Sequence, residues 1–519
     1  MTSRRHSTTL ISSGWAAHGS ASDGPGSDRP GRPEFADVGR LARRMVRRAV
    51  AAARAEEESV GRLLASHLGT GDAMPPIAKG SWPAYDQVNV QTGLEAWLAE
   101  PGRSHELVGL TRFRHSDFSL ADLLQGDVRA WNPGVGSVAT EALPSGPGGA
   151  TRACVQCGIY LTADDDGVSA LLIRGPEEHG SIDGVELEVT CSAPGRATDI
   201  VGRIRELALR HNVFRGHVIA FGDEVFGHRS GALLSFIERP VLDREQVILP
   251  SALLDGIERQ VIGVARHAAR LRASGQHLRR GVLLYGVPGT GKTHTIRYLL
   301  GQLPGTTVVL LSGGALGMLS AACSVARALQ PSVVVVEDVD LIAEERDHYA
   351  GENPLLFELL NEMDGLAADN DVTFLLTTNR ADLLEEALAA RPGRVDHAAE
   401  LPVPDADARA RLIRLYQGNL VLDLSDMDVV IERTAGVTAS FIKELLRRAA
   451  LQAAEDDDGD GAPDESGDPS LDDVPLRVSD SHMASALDQL LGTRSALTKV
   501  LLGGAAPRSA RRGGGEDGS

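Results

Sequence analysis

Two stretches of this sequence carry residue types whose spacing suits phosphate chemistry. The first is GVPGTGKT, Gly286 to Thr293, a glycine-rich run ending in a lysine and a hydroxyl residue. Glycines let backbone N–H groups turn inward around phosphate oxygens, and a following helix adds the partial positive charge of its start. Lys292 would reach the β- and γ-phosphates of a nucleoside triphosphate, while the Thr293 hydroxyl would sit on Mg²⁺. The residues expected along ATP are Gly286, Val287, Pro288, Gly289, Thr290, Gly291, Lys292, Thr293 and His294. The second stretch is VVVVEDVD, residues 333–340, where four valines run into Glu337 and Asp338. Nucleotide hydrolases more often place the aspartate first. Position for position, Glu337 takes the metal, with Thr293, and Asp338 orients the attacking water. Asp338 is shorter than a glutamate by about 1.5 Å. A misplacement on that scale costs on the order of a hundredfold in rate. Slow to moderate hydrolysis of ATP is the expectation.

These residues need a scaffold of buried parallel strands. GVLLYG, TVVLLSG, SVVVVED and VTFLLTT alternate with helical stretches between residues 246 and 402, and such Val/Leu runs suit strands buried on both faces. GVLLY before the glycine loop and HTIRYLLGQL after it supply the strand–loop–helix context that the motif requires. The expected class is α/β: a parallel sheet flanked by helices, followed over 403–495 by a helical lid. DARARLIRLYQGN, TASFIKELLRRAALQAA and DSHMASALDQLL are the lid's clearest helices, and about ten acids between Glu455 and Asp473 predict a solvated, disordered insertion over 455–474. An α+β region over 35–245 precedes the sheet. In it ACVQCGIYLTA, VSALLIRG, VELEVTC and GHVIAF read as strands and TDIVGRIRELALRH as a helix, while residues 80–149 give mixed signals. The helical run DVGRLARRMVRRAVAAARAEEESVGRLLASHLG reads as a solvated amphipathic helix. A Ser/Gly/Pro leader over 1–34 and a tail over 496–519 read as disordered.

The chain has 519 residues, 42% hydrophobic and 24% charged, which predicts several soluble globular domains. No apolar run is long enough for a membrane span. A net charge of −19 and the lack of a clear basic strip near the core disfavour nucleic acid as a partner. Four cysteines and no export signal point to a reducing cytoplasm. Cys154 and Cys157 lie in an alternating apolar run and read as core-strand residues.

From about Val247 to Leu491 the chain resembles the AAA clade of ATPases, which includes the proteasomal regulatory ATPases and FtsH-type proteases. The resemblance rests on RRGVLLYGVPGTGKT, VVVVEDVDLIAEER, LLNEMDGL, TTNR and RPGRVD, in that order. The Glu-Asp order is shared with the clade's mitochondrial Rieske-protein translocase branch. The resemblance implies that Asn379 is a sensor amide facing the γ-phosphate or lytic water. It also implies that Arg391 and Arg394 are paired arginine fingers acting on a neighbouring subunit's nucleotide, and hence a homo-oligomer, most often a hexamer. A guanidinium so placed neutralises charge on the transferred phosphoryl. Ser440 stands near where family members approach the base. Members that thread polypeptide carry an aromatic pore loop after the phosphate loop. Here SGGALGMLSAACSVARALQ has no aromatic, leaving Leu316, Met318 and Leu319 to line any pore. The DIGG segment that commonly precedes the phosphate loop is missing.

The function expected is a ring-forming ATPase that remodels or unfolds a protein partner recruited through 35–245. The alternative is a nucleotide-gated scaffold with little turnover. A DNA-directed machine is disfavoured by charge. Phosphoryl transfer to a small acceptor fits the fingers and lid less well than hydrolysis.

Overall fold

The computed structural model describes residues 60–69, 74–111, 113, 118–125, 133–177, 183–193, 195–222, 234–340, 354–365, 370–380, 395–460 and 475–492, the side chains of 354–357 and 458–460 excepted. The leader, Arg391, Arg394, residues 461–474 and the tail lie outside them.

The N-terminal part comprises α1 (Val60–Leu68), β1 (Ile77–Pro83), α2 (Gln87–Leu98), β2 (Ser104–Leu110), α3 (Leu120–Gln125), β3 (Val135–Gly136), β4 (Ala139–Pro144), β5 (Thr151–Asp164), β6 (Gly167–Arg174), β7 (Gly184–Cys191) and α4 (Arg196–Arg210). Its antiparallel sheet runs β1-β7-β6-β5-β2-β3, with β4 also paired to β5. Leu171 and Ile173 of β6 pack with Leu94 and Trp97 of α2 and Ile204 of α4. Ala170 and Leu172 point the other way, to Leu64 of α1 and Leu120 of α3. That alternation is the strand period of two, and it means the sheet is covered on both faces. The same pleat separates the two cysteines of CVQC: Cys154 and Cys157 belong to different clusters, and burial pushes both thiols up to about 12. Residues 80–149 were opaque in sequence because α2 buries polar side chains. Gln87, Asn89 and Gln91 are buried, so the apolar period is broken. Each bonds the backbone of a distant segment: Gln87 Nε2 donates to the Val155 carbonyl at 3.3 Å, Asn89 Oδ1 accepts the Val213 N–H at 2.8 Å, and Gln91 Oε1 accepts the Val155 N–H at 3.2 Å.

The core follows with β8 (Val218–Phe221), β9 (Leu234–Ile237), α5 (Ser251–Glu258), a π-turn at Arg259–Gly263, α6 (Val264–Ala273), β10 (Arg280–Tyr285), α7 (Lys292–Gly301), β11 (Thr307–Leu311), α8 (Leu319–Ala328), β12 (Ser332–Val336), α9 (Pro354–Asp364), β13 (Val372–Thr378) and β14 (His397–Glu400). The sheet order is β14-β10-β13-β12-β11-β8-β9, parallel throughout except for β8 with β9. Val333 and Val335 of β12 face one apolar cluster, and Val334 and Val336 the other. One sequence expectation is corrected here. GHVIAF does not join the N-terminal sheet: β8 pairs with β11, matching Val218 to Val308 and Ile219 to Val309. A boundary at 245/246 therefore falls after two strands of the core sheet. The reason is burial, since Val218 and Ile219 are both enclosed, as in a parallel strand covered on two faces. The two parts also share apolar packing, with the rings of Tyr85 and Phe221 edge-to-face at 5.6 Å.

The C-terminal part holds α10 (Ala406–Gln417), β15 (Val421–Asp423), α11 (Met427–Arg433), α12 (Ala439–Asp460), β16 (Arg477–Ser479) and α13 (Asp480–Gly492), with β15 and β16 parallel. Leu445, Ala449 and Ala453 of α12 pack on Met483, Ala486 and Leu490 of α13. The insertion expected to be disordered from Glu455 is corrected over its first six residues, because Glu455–Asp460 continue α12, while 461–474 lie outside the described residues. Ala453, just before Glu455, is buried in the core, and Asp456 Oδ2 meets His482 Nε2 at 2.9 Å.

Candidate active site

Strand β10 delivers the chain to Gly286, and α7 starts at Lys292. Between them the backbone turns through Gly286, Gly289 and Gly291 with φ of 146°, 84° and 102°, a region that side-chain-bearing residues rarely enter. A Cβ at Gly289 would lie 2.8 Å from Ser440 Oγ and 2.9 Å from Thr438 Oγ1. The lid therefore rests directly on the loop: the Ser440 backbone N–H donates to the Gly289 carbonyl at 3.2 Å, where α12 begins. The Lys292 side chain is buried and curls back on the loop. Its Nζ donates to the carbonyls of Gly286 at 2.8 Å and Val287 at 3.2 Å. Burial lowers the pKa of this amine, and the carboxylates of Asp338 and Asp340 oppose that shift. Thr290 Oγ1 donates to the Val287 carbonyl at 3.0 Å, and the His294 ring meets the Gln246 carbonyl at 3.0 Å. Val287, Pro288 and Thr293 are exposed, and the Thr293 hydroxyl has no hydrogen-bond partner among the described residues.

Across the sheet, β12 and β13 are adjacent and parallel, so the acids and Asn379 emerge side by side at their carboxyl ends. Glu337 is fixed by its backbone N–H on the Leu311 carbonyl at 3.1 Å, and its carboxylate has no partner among the described residues. Asp338 adopts φ 52°, in the left-handed region, and its N–H donates to Thr377 Oγ1 at 2.9 Å. Asn379 Nδ2 donates to Asp338 Oδ1 at 3.2 Å. Asp340 had no role in the sequence reading. It is buried, and its Oδ1 accepts from Thr378 Oγ1 at 2.9 Å and from the Asn379 N–H at 3.1 Å. The clue was available: in VVVVEDVD, Asp340 follows Asp338 by two, and a third acid beside an apolar strand needs a donor.

The loop, the acids and Asn379 thus meet at one edge of the sheet. The residues expected to line a pore do not stand free. Leu316 and Leu319 are buried against Leu311 and Ala322, and Met318 packs on the same cluster. With no bulky polar residue in the turn Gly313–Met318, its apolar side chains fold inward and leave Gly313, Gly314 and Gly317 exposed.

Comparison with known proteins bears on this geometry. Residues 282–403, spanning β10 through β14, match the family model described as "ATPase family associated with various cellular activities (AAA)". This segment is an AAA domain. Similarity to curated relatives runs over about two hundred residues in all. The chain is 32% identical over 210 residues to the ATP-dependent zinc metalloprotease FtsH 2 of Symbiobacterium thermophilum, covering 37% of this chain and 35% of that protein. It is 28% identical over 223 residues to the 26S proteasome regulatory subunit 8 homolog of Schizosaccharomyces pombe, covering 39% and 55%. A third relative is the 26S protease regulatory subunit 6A of Caenorhabditis elegans, 32% identical over 200 residues, covering 36% and 46%. The match thus spans about a third to about half of these relatives' own length. Among the described residues, no helix is long and apolar enough to cross a membrane.

Proposed function

We propose that this chain binds and hydrolyses ATP with Mg²⁺, assembles into a ring, and uses turnover to remodel a protein partner held by its N-terminal part. The observation that carries the reading is the buried Lys292 amine, held at the mouth of a three-glycine turn and facing the Asp338–Asn379 pair. A phosphate entering the turn would take Lys292 from two carbonyls and give it a charged acceptor, a stronger hydrogen bond. The Thr293 hydroxyl and Glu337 carboxylate, without partners among the described residues, are oxygen donors of the kind that would hold Mg²⁺ together with phosphate oxygens and water. When bound, the metal neutralises charge on the phosphates. Asp338, oriented by the Asn379 amide, accepts a proton from water aligned for attack. Arg391 and Arg394 are assigned to the neighbouring subunit's nucleotide.

Polypeptide threading is not part of the proposal, because Leu316 and Leu319 are committed to the core. That observation favours the second reading, a nucleotide-gated scaffold. Phosphate release separates them: the ATPase reading expects steady turnover that Lys292→Ala abolishes, whereas the scaffold binds ATP and associates with negligible turnover. Mixing subunits places the fingers, since an Arg394→Ala chain regains activity from a Lys292→Ala neighbour only when the arginine acts in trans.

A further inference from the structure

Read along the sequence, no basic strip stands near the core; folding makes one. No Asp or Glu occurs between Glu258 and Glu337, an acid-free stretch in a chain of net charge −19. Helix α6 lies inside it and buries none of its residues. Arg266 and Arg270, four apart on one face, are exposed, as is Arg259 on the preceding turn. None of the three guanidinium groups has an ion-pair or hydrogen-bond partner among the described residues. The acids on α5 are already engaged, because Arg244 takes both Asp255 and Glu258. Like charges four apart on a helix are mutually destabilising unless something answers them.

The complementary anomaly sits at the end of α12. Glu455, Asp456, Asp457, Asp458 and Asp460 crowd its last six positions, and more acids follow to Asp473. A helix C-terminus carries partial negative charge, so acids are least favourable there. Glu455 and Asp457 are exposed and have no partner among the described residues. Helix α12 meets the core at its start, where Ser440 bonds Gly289 beyond the carboxyl ends of the strands, and the helical rise carries Glu455 roughly 22 Å away from that contact. Helix α6 finishes at the opposite end, where Arg272 Nη2 lies 3.7 Å from Asp371 Oδ2, just before β13. A strand of that length separates the two ends by about 20 Å.

We infer that the Arg266/Arg270 face of α6, with Arg259 on the turn before it, receives the acidic end of α12 from the lid of a second copy of this chain, forming an electrostatic contact between subunits. The inference rests on the ring reading and deepens it.

The test is sedimentation velocity of the full chain with a non-hydrolysable ATP analogue, at about 0.1 M salt and above. Arg266→Glu/Arg270→Glu and Glu455→Lys/Asp457→Lys should each weaken self-association about tenfold or more. The chain carrying all four reversals should associate like the parent, and the parent's association should fall as salt rises. The altered side chains are exposed and have no partner among the described residues, so thermal unfolding should not fall below the parent's. Association unchanged by both reversals, or not restored by combining them, overturns the inference while leaving the ring intact. A parent that stays monomeric in every condition defeats the ring reading as well. Binding of a labelled DNA duplex that the arginine reversal abolishes, with association untouched, would assign α6 to nucleic acid and overturn the inference.

Discussion

Asp340 holds Asn379 from behind: its Oδ1 accepts the Asn379 backbone N–H at 3.1 Å while also taking the Thr378 hydroxyl at 2.9 Å. The side-chain amide of Asn379 in turn donates to Asp338 at 3.2 Å. A buried carboxylate four residues beyond β12 thereby sets the position of the amide that bonds Asp338, the acid proposed to face the attacking water. Asp340→Ala would leave two donors unanswered, at a cost of about 1–3 kcal/mol. We expect kcat to fall more than tenfold with little change in nucleotide affinity, and Asp340→Asn, which keeps one carbonyl acceptor, to recover part of the loss. Paired turnover and binding titrations check this; affinity falling in step with kcat would point to general misfolding of the edge.

The reversed acid pair has a backbone reason. Asp338 sits at φ 52°, where Asp and Asn are tolerated better than longer side chains. Asp338→Glu should therefore lower stability by about 1 kcal/mol and leave turnover no higher than the parent's. Thermal unfolding and phosphate release report the two. A rise in turnover would instead support the scaffold reading, in which the short side chain limits hydrolysis.

Gly289→Ala should part the lid from the loop. The new methyl meets Ser440 Oγ and Thr438 Oγ1 inside 3 Å, on a backbone at φ 84° that disfavours alanine. Calorimetric titration should show ATP binding weakened by roughly tenfold or more, a loss of about 1.4 kcal/mol. Adding Ser440→Gly removes the nearer clash and should restore part of it. Full affinity in the single variant would mean that the lid does not bear on the site.

The Lys292 amine predicts two opposite trends with pH. Burial places its folded pKa below the ordinary lysine value of 10.5. Between the folded value and 10.5 the unfolded chain binds more protons, so the nucleotide-free fold gains stability as pH rises through that window. Nucleotide affinity should fall over the same window, because the phosphate loses its cation. Stability and binding curves of the parent minus those of Lys292→Met isolate both trends, and parallel curves for the two chains would contradict them.

Much of this molecule was legible without a structure wherever local pattern and chemistry agree. The apolar runs 281–286, 307–313, 332–338 and 372–378 read as strands enclosed on both sides, and GVPGTGKT between a strand and a helix read as a glycine turn, which Gly286, Gly289 and Gly291 make at positive φ. The helix from Ala439 and the strands 153–163, 168–175 and 185–191 followed from period alone. Contacts between distant segments decided the rest. Which sheet accepts GHVIAF depends on an open edge at β11. Leu316 and Leu319 turn inward because a cluster waits for them. Asp340 acquires a role only when β13 brings Thr378 and Asn379 alongside, and α2 hides its polar face because Val155 and Val213 offer backbone donors and acceptors. Periodicity reports which side of an element is apolar. It says nothing of which partner covers that side, and that partner is fixed by pairings across the whole chain.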